Sequence, residues 1–223
     1  MSPDTSQTIA ELPPLLQPPA TRWFERAQET GVSIAPEWLQ PIARLVACSE
    51  FGARVLLRDL EWFVDNATLL SKLPDDDELN RFVARMRTGE PVVADAGAAM
   101  RRFRNRYLFR ILWQEINGQV SVEETLRLLS VLADGILDAA TSVAETALLE
   151  KFGRARDESG ARIPLVILGM GKLGGWELNF SSDIDIIFCY PTAGETDGAR
   201  RLSAQDYFAR LARQIIALVD EVT

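Results

Sequence analysis

The sequence predicts an α+β protein that is predominantly helical, an N-terminal helical bundle followed by the start of an α/β unit. Apolar residues recur at helical spacing from about residue 21 to 155. A polar loop, Arg154 to Arg162, then interrupts the pattern. Beyond it, two short β-rich runs flank a glycine-rich segment. The expected organisation is a flexible leader over residues 1–20, a helical region over 21–155 and a partial α/β unit over 156–223.

Each element has a local reason. Pro3, Pro13, Pro14, Pro18 and Pro19, with few aromatics among them, predict the leader. Thr21 is the expected cap of a short helix carrying Trp23, Phe24 and Ala27, which Gly31 stops. A second run starts near Pro36 with Trp38, Ile42, Leu45 and Val46. Ser49 caps a third, through Val55, Leu56 and Leu60 to Phe63, Val64 and Leu69, ended by Pro74. Asp75-Asp76-Asp77-Glu78 reads as a solvated turn and helix start, where carboxylates suit free amides. It lacks the alternating ligands and central glycine of a calcium loop.

Met100, Phe103, Tyr107, Ile111 and Leu112 mark a long helix that Gly118 ends. Ser121 and Glu124 form a capping box for a longer one. Its stripe runs from Leu126 and Leu129 through Ile136, Leu137 and Val143 to Leu148, with Gly153 as the stop. Such a helix cannot hide its apolar stripe alone, hence the bundle. Pro164–Leu168 and Asp183–Tyr190 are the expected strands, and Ser203–Val222 the last helix.

Composition removes several function classes. With 223 residues, 47% hydrophobic and 25% charged, the chain is ordinary for a globular protein. No apolar run approaches the ~18–20 residues of a membrane span, and the start lacks the basic-then-apolar pattern of a secretory signal. Two cysteines, Cys48 and Cys189, and no histidine exclude a disulfide scaffold, a Cys/His zinc site and any imidazole base. The expected location is the reducing cytoplasm. A net charge of −8 makes the whole chain a poor general binder of nucleic acid. Basic charge comes from 21 Arg and only 3 Lys, which draws attention to Lys172 inside a motif.

The chemically informative stretch runs from Leu168 to Asp185, LGMGKLGGWELNFSSDID. Gly169, Gly171 and Gly174 match a dinucleotide fingerprint, but the next strand opens too soon and its acids lie at its beginning. A P-loop fails because Leu173 follows Lys172. A tight turn ahead of solvent-facing aspartates is the bland alternative. A metal-dependent nucleotidyl-transfer site accounts for more of the residues. Side chains alternate on a strand, so Asp183 and Asp185 share one face about 6–7 Å apart, while Ile184 and Ile186 face a core. Paired carboxylates of this kind suit Mg²⁺, or Mn²⁺ in its place, with phosphates and water completing the shell. Glycines let backbone amides approach a phosphate, and Lys172 adds a point charge. A glycine-rich turn, a short helix and an Asp-x-Asp strand together form the layout of the polymerase-β-like nucleotidyltransferases.

The longer run GMGKLGGWELNFSSDIDIIF, residues 169–188, resembles the signature of the bifunctional glutamine synthetase adenylyltransferase/adenylyl-removing enzymes. Ala47–Phe51, Phe103–Arg106 and Ser121–Leu126 also resemble that family's N-terminal half, so the similarity covers about residues 40–223. The resemblance implies two nucleotidyltransferase units around a helical regulatory region. The N-terminal unit removes AMP from a tyrosine of glutamine synthetase by phosphorolysis, giving ADP. The C-terminal unit attaches AMP from ATP, and glutamine and the PII signal protein set the balance. A helical region ahead of the signature matches the N-terminal, adenylyl-removing unit.

By the same resemblance, Asp183 and Asp185 are the metal-binding and catalytic pair. Gly169, Gly171, Lys172, Gly174, Gly175 and Ser182 form the phosphate-holding loop, with Glu177 and Asn179 shaping it. Met170 departs from the Gly or Ser found there in many nucleotidyltransferases. A third carboxylate is expected on a strand after Thr223, so the chain is expected to be a piece of a longer enzyme. Asp206, Asp220 and Glu221 read as surface charges. Two alternatives stand beside this one. Another nucleotidyltransferase would act on a small molecule or a nucleic-acid end, with Arg101, Arg102, Arg104, Arg106 and Arg110, otherwise a solvated helix face, as its best support. A non-catalytic helical module would only bind glutamine synthetase or PII.

Overall fold

The computed structural model describes residues 2–89, 95–180 and 183–220. Ten α-helices appear among them. They are α1 (Pro3–Ala10), α2 (Gln17–Glu29), α3 (Pro36–Cys48), α4 (Glu50–Arg58), α5 (Leu60–Asp65), α6 (Asp76–Arg87), α7 (Ala96–Ile116), α8 (Val122–Phe152), α9 (Gly171–Gly174) and α10 (Ala204–Asp220). Four short strands accompany them: β1 (Ala155–Arg156), β2 (Val166–Gly169), β3 (Ile186–Cys189) and β4 (Glu195–Thr196). The fold is thus α+β and predominantly helical, as the periodicity predicts.

The chain divides into two compact units, Met1–Pro74 with Asn105–Thr125, and Asp75–Arg104 with Leu126–Thr223. The border does not follow the break in character expected near residue 155. The long helices α7 and α8 each contribute to both units, so much of the helical region belongs with the α/β segment.

The first unit is all helical. Its core gathers Trp23, Phe24, Leu45, Leu56 and Phe63 with Phe109 and Trp113 of α7, all under 6% exposed. The rings of Phe63 and Phe109 lie 4.1 Å apart, and the Trp23 indole donates to the Ala53 carbonyl at 2.8 Å. Burial of these large rings supplies the main driving force for the unit.

The leader expected over residues 1–20 is instead structured. Ser2 caps α1 by accepting from the Thr5 amide at 3.2 Å, and Ile9 and Leu12 join the core. The prolines mislead because they open elements. Pro3 is in the first turn of α1, Pro14 starts a 3-10 turn, and Pro18 and Pro19 sit in the first turn of α2, where a missing N–H costs nothing. Thr21 therefore lies inside α2, its hydroxyl donating to the Gln17 carbonyl. Ser49, by contrast, caps α4 through the Gly52 amide at 3.0 Å, as its spacing predicts. The run expected to Pro74 breaks at Asp59 and Asn66.

The arginine run on α7 is not the solvated face that its charges predict. Arg101 and Arg102 are exposed. Arg106 lies 3.9 Å over the Trp62 ring. Arg110 is 4% exposed and donates to the Lys72 and Leu73 carbonyls. Burial also lowers the Arg104 pKa from its usual value. The later arginines are thus structural, which removes a continuous basic surface.

In the second unit, Asp75 caps α6 through the Glu78 amide at 2.7 Å. Phe82 of α6 stacks on Phe103 with ring centres 4.0 Å apart. The helix α8, which runs into this unit, is capped in the first unit by Ser121 as predicted, with the Glu124 amide donating to Ser121 Oγ. The strands form two antiparallel pairs, β1 with β4 and β2 with β3. Their registers set Ala155 against Thr196 and Leu168 against Ile187. Ser203 caps α10, accepting from the Asp206 amide, and Tyr207, Phe208, Leu211 and Ile215 are its buried face. Asp206 and Asp220 are exposed, as expected; Glu221 lies outside the described residues.

Gly153 ends α8 with φ +72, and a methyl group there would overlap the Asp197 carboxylate and the Gly198 backbone. Gly160 has a similar φ of +81 with open space around it. Gly160→Ala is expected to cost about 1–2 kcal/mol for the left-handed backbone alone. Gly153→Ala should cost at least ~1 kcal/mol more from overpacking, measured by urea unfolding; equal losses would contradict the packing argument.

Asp197 also accepts from the Arg154 amide at 2.7 Å and from Arg156 Nε. The Arg154 hydrogen bond first, then Arg156, holds its carboxyl pKa below the ordinary value. A depressed acid stabilises the fold above its unfolded pKa and loses that contribution as pH falls through the folded one. The Asp197→Asn protein is therefore expected to show a smaller stability loss between about pH 5 and pH 2 than wild type, followed by acid titration of the unfolding midpoint.

Candidate functional site

The site begins with the pairing of β2 and β3. Their ladder continues one step beyond the strands, the Met170 amide donating to the Asp185 carbonyl at 2.8 Å. The aspartates thus lie just before β3 rather than within it, and Asp185 remains in register with the glycine loop. Burial alternates as expected. Asp183, Asp185 and Ile187 are exposed, whereas Ile184 and Ile186 are half-buried. Val166, Leu168 and Ile187 leave an exposed aliphatic surface on the same pair of strands.

The loop folds into the single turn of α9. Gly171 takes φ +51, a conformation that disfavours side chains. A Cβ on Gly171 would lie 3.6 Å from Asp185 Oδ2, so the carboxylate sits directly beside this backbone. Gly174 meets a different limit, because its Cβ would come within 2.5 Å of the Gly169 carbonyl oxygen. Gly169 ends β2 opposite Ile186, and Gly175 caps α9. Gly171 and Lys172 are exposed. Ser182, also expected in the loop, lies outside the described residues.

Most loop amides are consumed internally. Gly174 donates to Met170, Gly175 to Gly171, Trp176 to Leu173 and Glu177 to Lys172. The last two are the paired bonds of a Schellman motif, and Trp176 holds its left-handed position at φ +59, where glycine is usual. The amides of Gly171 and Leu173 have no acceptor among the described residues.

Two buried leucines, Leu173 and Leu178, anchor the loop, and the Leu178 amide donates to Ser130 Oγ of α8 at 3.3 Å. Sequence reasoning passes over Ser130 and Trp176. Ser130 is visible only as a hydroxyl in the apolar stripe of α8, and Trp176 as a bulky residue after two glycines.

Among the described residues, no group of three acidic, cysteine or histidine side chains converges as a complete cation cage. The two aspartates nonetheless fit Mg²⁺, which is commonly held by one or two carboxylates while substrate phosphates and water complete its shell. The Asp185 carboxylate is exposed and lies beside the bare Gly171 backbone.

Comparison with known proteins places the chain in a family. The family model described as glutamate-ammonia ligase adenylyltransferase matches residues 39–223. The chain belongs to this adenylyltransferase family. A relative from Thioalkalivibrio sulfidiphilus is 37% identical over 221 residues, covering 95% of this chain and 22% of the relative. One from Xanthomonas campestris pv. campestris (strain B100) is 36% identical, covering 98% of this chain and 23% of its own length. One from Shewanella loihica is 34% identical, covering 91% and 21%. All three are named bifunctional glutamine synthetase adenylyltransferase/adenylyl-removing enzymes. The chain spans about a fifth of the length of these relatives. The adenylyltransferase match takes in the whole glycine–aspartate segment and most of both compact units.

Ser130→Ala strands the Leu178 amide and is expected to cost about 1–3 kcal/mol. Faster hydrogen exchange at Leu178 and along residues 171–178, with α10 unchanged, is the accompanying signature. Unaltered exchange in the loop would show that Ser130 does not hold it.

Proposed function

We propose that this chain supplies the adenylyl-removing nucleotidyltransferase part of a glutamine synthetase adenylyltransferase. Its reaction is phosphorolysis of AMP-tyrosine to tyrosine and ADP. The observation that carries the reading is the Asp185 carboxylate set against the side-chain-free backbone of Gly171, with Asp183 exposed two residues away. Family membership supports the enzyme class, and the helices ahead of the signature favour the N-terminal, removing unit. Formation of AMP-tyrosine from ATP belongs, in this proposal, to the remaining length of the family enzyme. Glutamine synthetase is the protein substrate and PII the regulatory partner. The free thiols Cys48 and Cys189 suit a reducing cytoplasm.

Asp183 and Asp185 would hold Mg²⁺, or Mn²⁺ in its place. When bound, the cation supplies charge neutralisation and polarisation of phosphoryl oxygens. The chain's own residues then have distinct tasks. Gly171 supplies the left-handed backbone at φ +51 that L side chains disfavour, and leaves its main chain bare beside the carboxylate for the phosphate group. The Gly171 and Leu173 amides are oriented donors toward its oxygens, and Lys172 adds positive charge at the exposed loop. An oxygen of inorganic phosphate attacks the α-phosphorus in line as the bond from phosphorus to the tyrosine oxygen breaks. That phenolate takes up a proton, and the attacking phosphate becomes the β-phosphate of ADP. A phenol with pKa of about 10 leaves readily, so no imidazole acid is required, in keeping with a chain that has no histidine. Positioning and charge neutralisation supply most of the acceleration.

The test uses the chain joined to the rest of a family enzyme in place of the corresponding segment. Adenylylated glutamine synthetase, Mg²⁺ and phosphate should yield ADP. Asp183→Asn and Asp185→Asn should each lower that rate by at least ~100-fold, the scale of a lost electrostatic stabiliser, while ATP-driven adenylylation continues. Phosphorolysis near the starting rate in both variants would reject the site.

A further inference from the structure

We propose that the second unit carries a separate binding site for a small organic oxyanion, a carboxylate or phosphate group held between Arg154 and Tyr207. The site is a cavity of about 470 Å³ between α8, the loop entering β2 and α10. That volume lies in the range of small-molecule pockets. It is not the glycine–aspartate site. Its wall includes Pro164 and Leu165, ahead of β2, whereas the glycine loop begins after the far end of that strand. Five extended residues separate Leu165 from Met170, on the order of 15 Å.

The chemistry follows from the charges that meet there. Three guanidinium groups line the cavity with two carboxylates. Arg162 gives its Nη2 to both oxygens of Glu145, at 2.7 and 2.8 Å. Arg87 donates to Asp138 at 2.6 Å. Both carboxylates are therefore matched. The Arg154 guanidinium has no carboxylate partner among the described residues, which leaves the lining one positive charge in excess.

Beside it is Tyr207, 4% exposed and lining the cavity, whose hydroxyl makes no hydrogen bond to any described residue. The ring is buried but the hydroxyl oxygen is open to the cavity, where a ligand atom or water can take its proton in a hydrogen bond. Burial, then the Glu145 charge, raises the phenol pKa, so the hydroxyl stays protonated and able to donate. An anionic oxygen would satisfy this donor and neutralise Arg154 together. Thr141, Ser142 and Thr146 form the floor. Each hydroxyl already donates to a carbonyl of α8, at 2.7, 2.9 and 2.8 Å, and so offers acceptor lone pairs to the body of the ligand.

The experiment titrates the chain with inorganic phosphate and, separately, with acetate. Side-chain Nε–H signals of Arg154 and Arg162 and the backbone amides are followed by NMR. Saturable shifts at Arg154, Arg162 and Leu165 are expected with at least one probe. Arg154→Gln should weaken that binding by roughly tenfold or more, and Tyr207→Phe by a smaller factor. Arg154 is exposed and Tyr207→Phe keeps its ring, so both variants should fold, which the amide spectrum checks directly. Saturation by phosphate alone points to a phosphorylated ligand, and saturation by acetate alone to a carboxylate. Shifts confined to the amides of residues 171–174, or binding unchanged in both variants, would overturn the proposal. Unchanged binding in the variants would leave the reading of Asp183 and Asp185 untouched, whereas phosphate shifts at 171–174 would support it.

Discussion

The hydrogen bond from the Met170 amide to the Asp185 carbonyl is the contact on which the candidate chemistry depends. It carries the β2–β3 ladder past the end of both strands. Without it, the glycine loop and the acidic segment would be two separate connections. With it, the backbone fixes where Asp185 stands relative to Gly171, independently of any side-chain packing. The arrangement resembles other phosphate-handling sites in principle. Rigid main chain sets the geometry, and a few short side chains supply the charge.

Support for this contact comes from the opposite side of the loop. Leu173 and Leu178 are buried, and Ser130 of α8 takes the Leu178 amide. The long helix therefore has two tasks: it buries apolar surface and it holds the loop at one point. The same helix carries the hydroxyl-lined floor of the cavity near Arg154, about three turns further along.

Much of this was legible in the residues because the local signals were strong. Ser49, Asp75, Ser121 and Ser203 begin helices, Ser49 and Ser121 by cap rules applied to the sequence and Asp75 as part of an acidic helix start, and Gly153 ends one. Alternation around Asp183 and Asp185 predicts their shared exposure, although the strand itself starts at Ile186. The leader is not legible in the sequence because proline is ambiguous: it breaks a helix interior but suits the first turn. Only the helices that α1 packs against, α2 and α3, decide between those outcomes. The division into units was hidden for a similar reason, since periodicity shows that α7 and α8 are helical but not which neighbours each stretch has. Arg106 and Arg110 looked like surface charge because sequence cannot show a tryptophan ring or a pair of carbonyls waiting for them.

The β2–β3 pair is a ribbon of only two strands among the described residues, and its outer aliphatic side is open at Val166, Leu168 and Ile187. A ribbon of that kind offers main-chain groups along both borders to any incoming strand. The chain's net charge of −8 opposes meetings between copies, but dissolved ions shorten the reach of that repulsion to about 8 Å at 0.15 M ionic strength. Association between copies through this ribbon should therefore grow, rather than fade, as ionic strength rises.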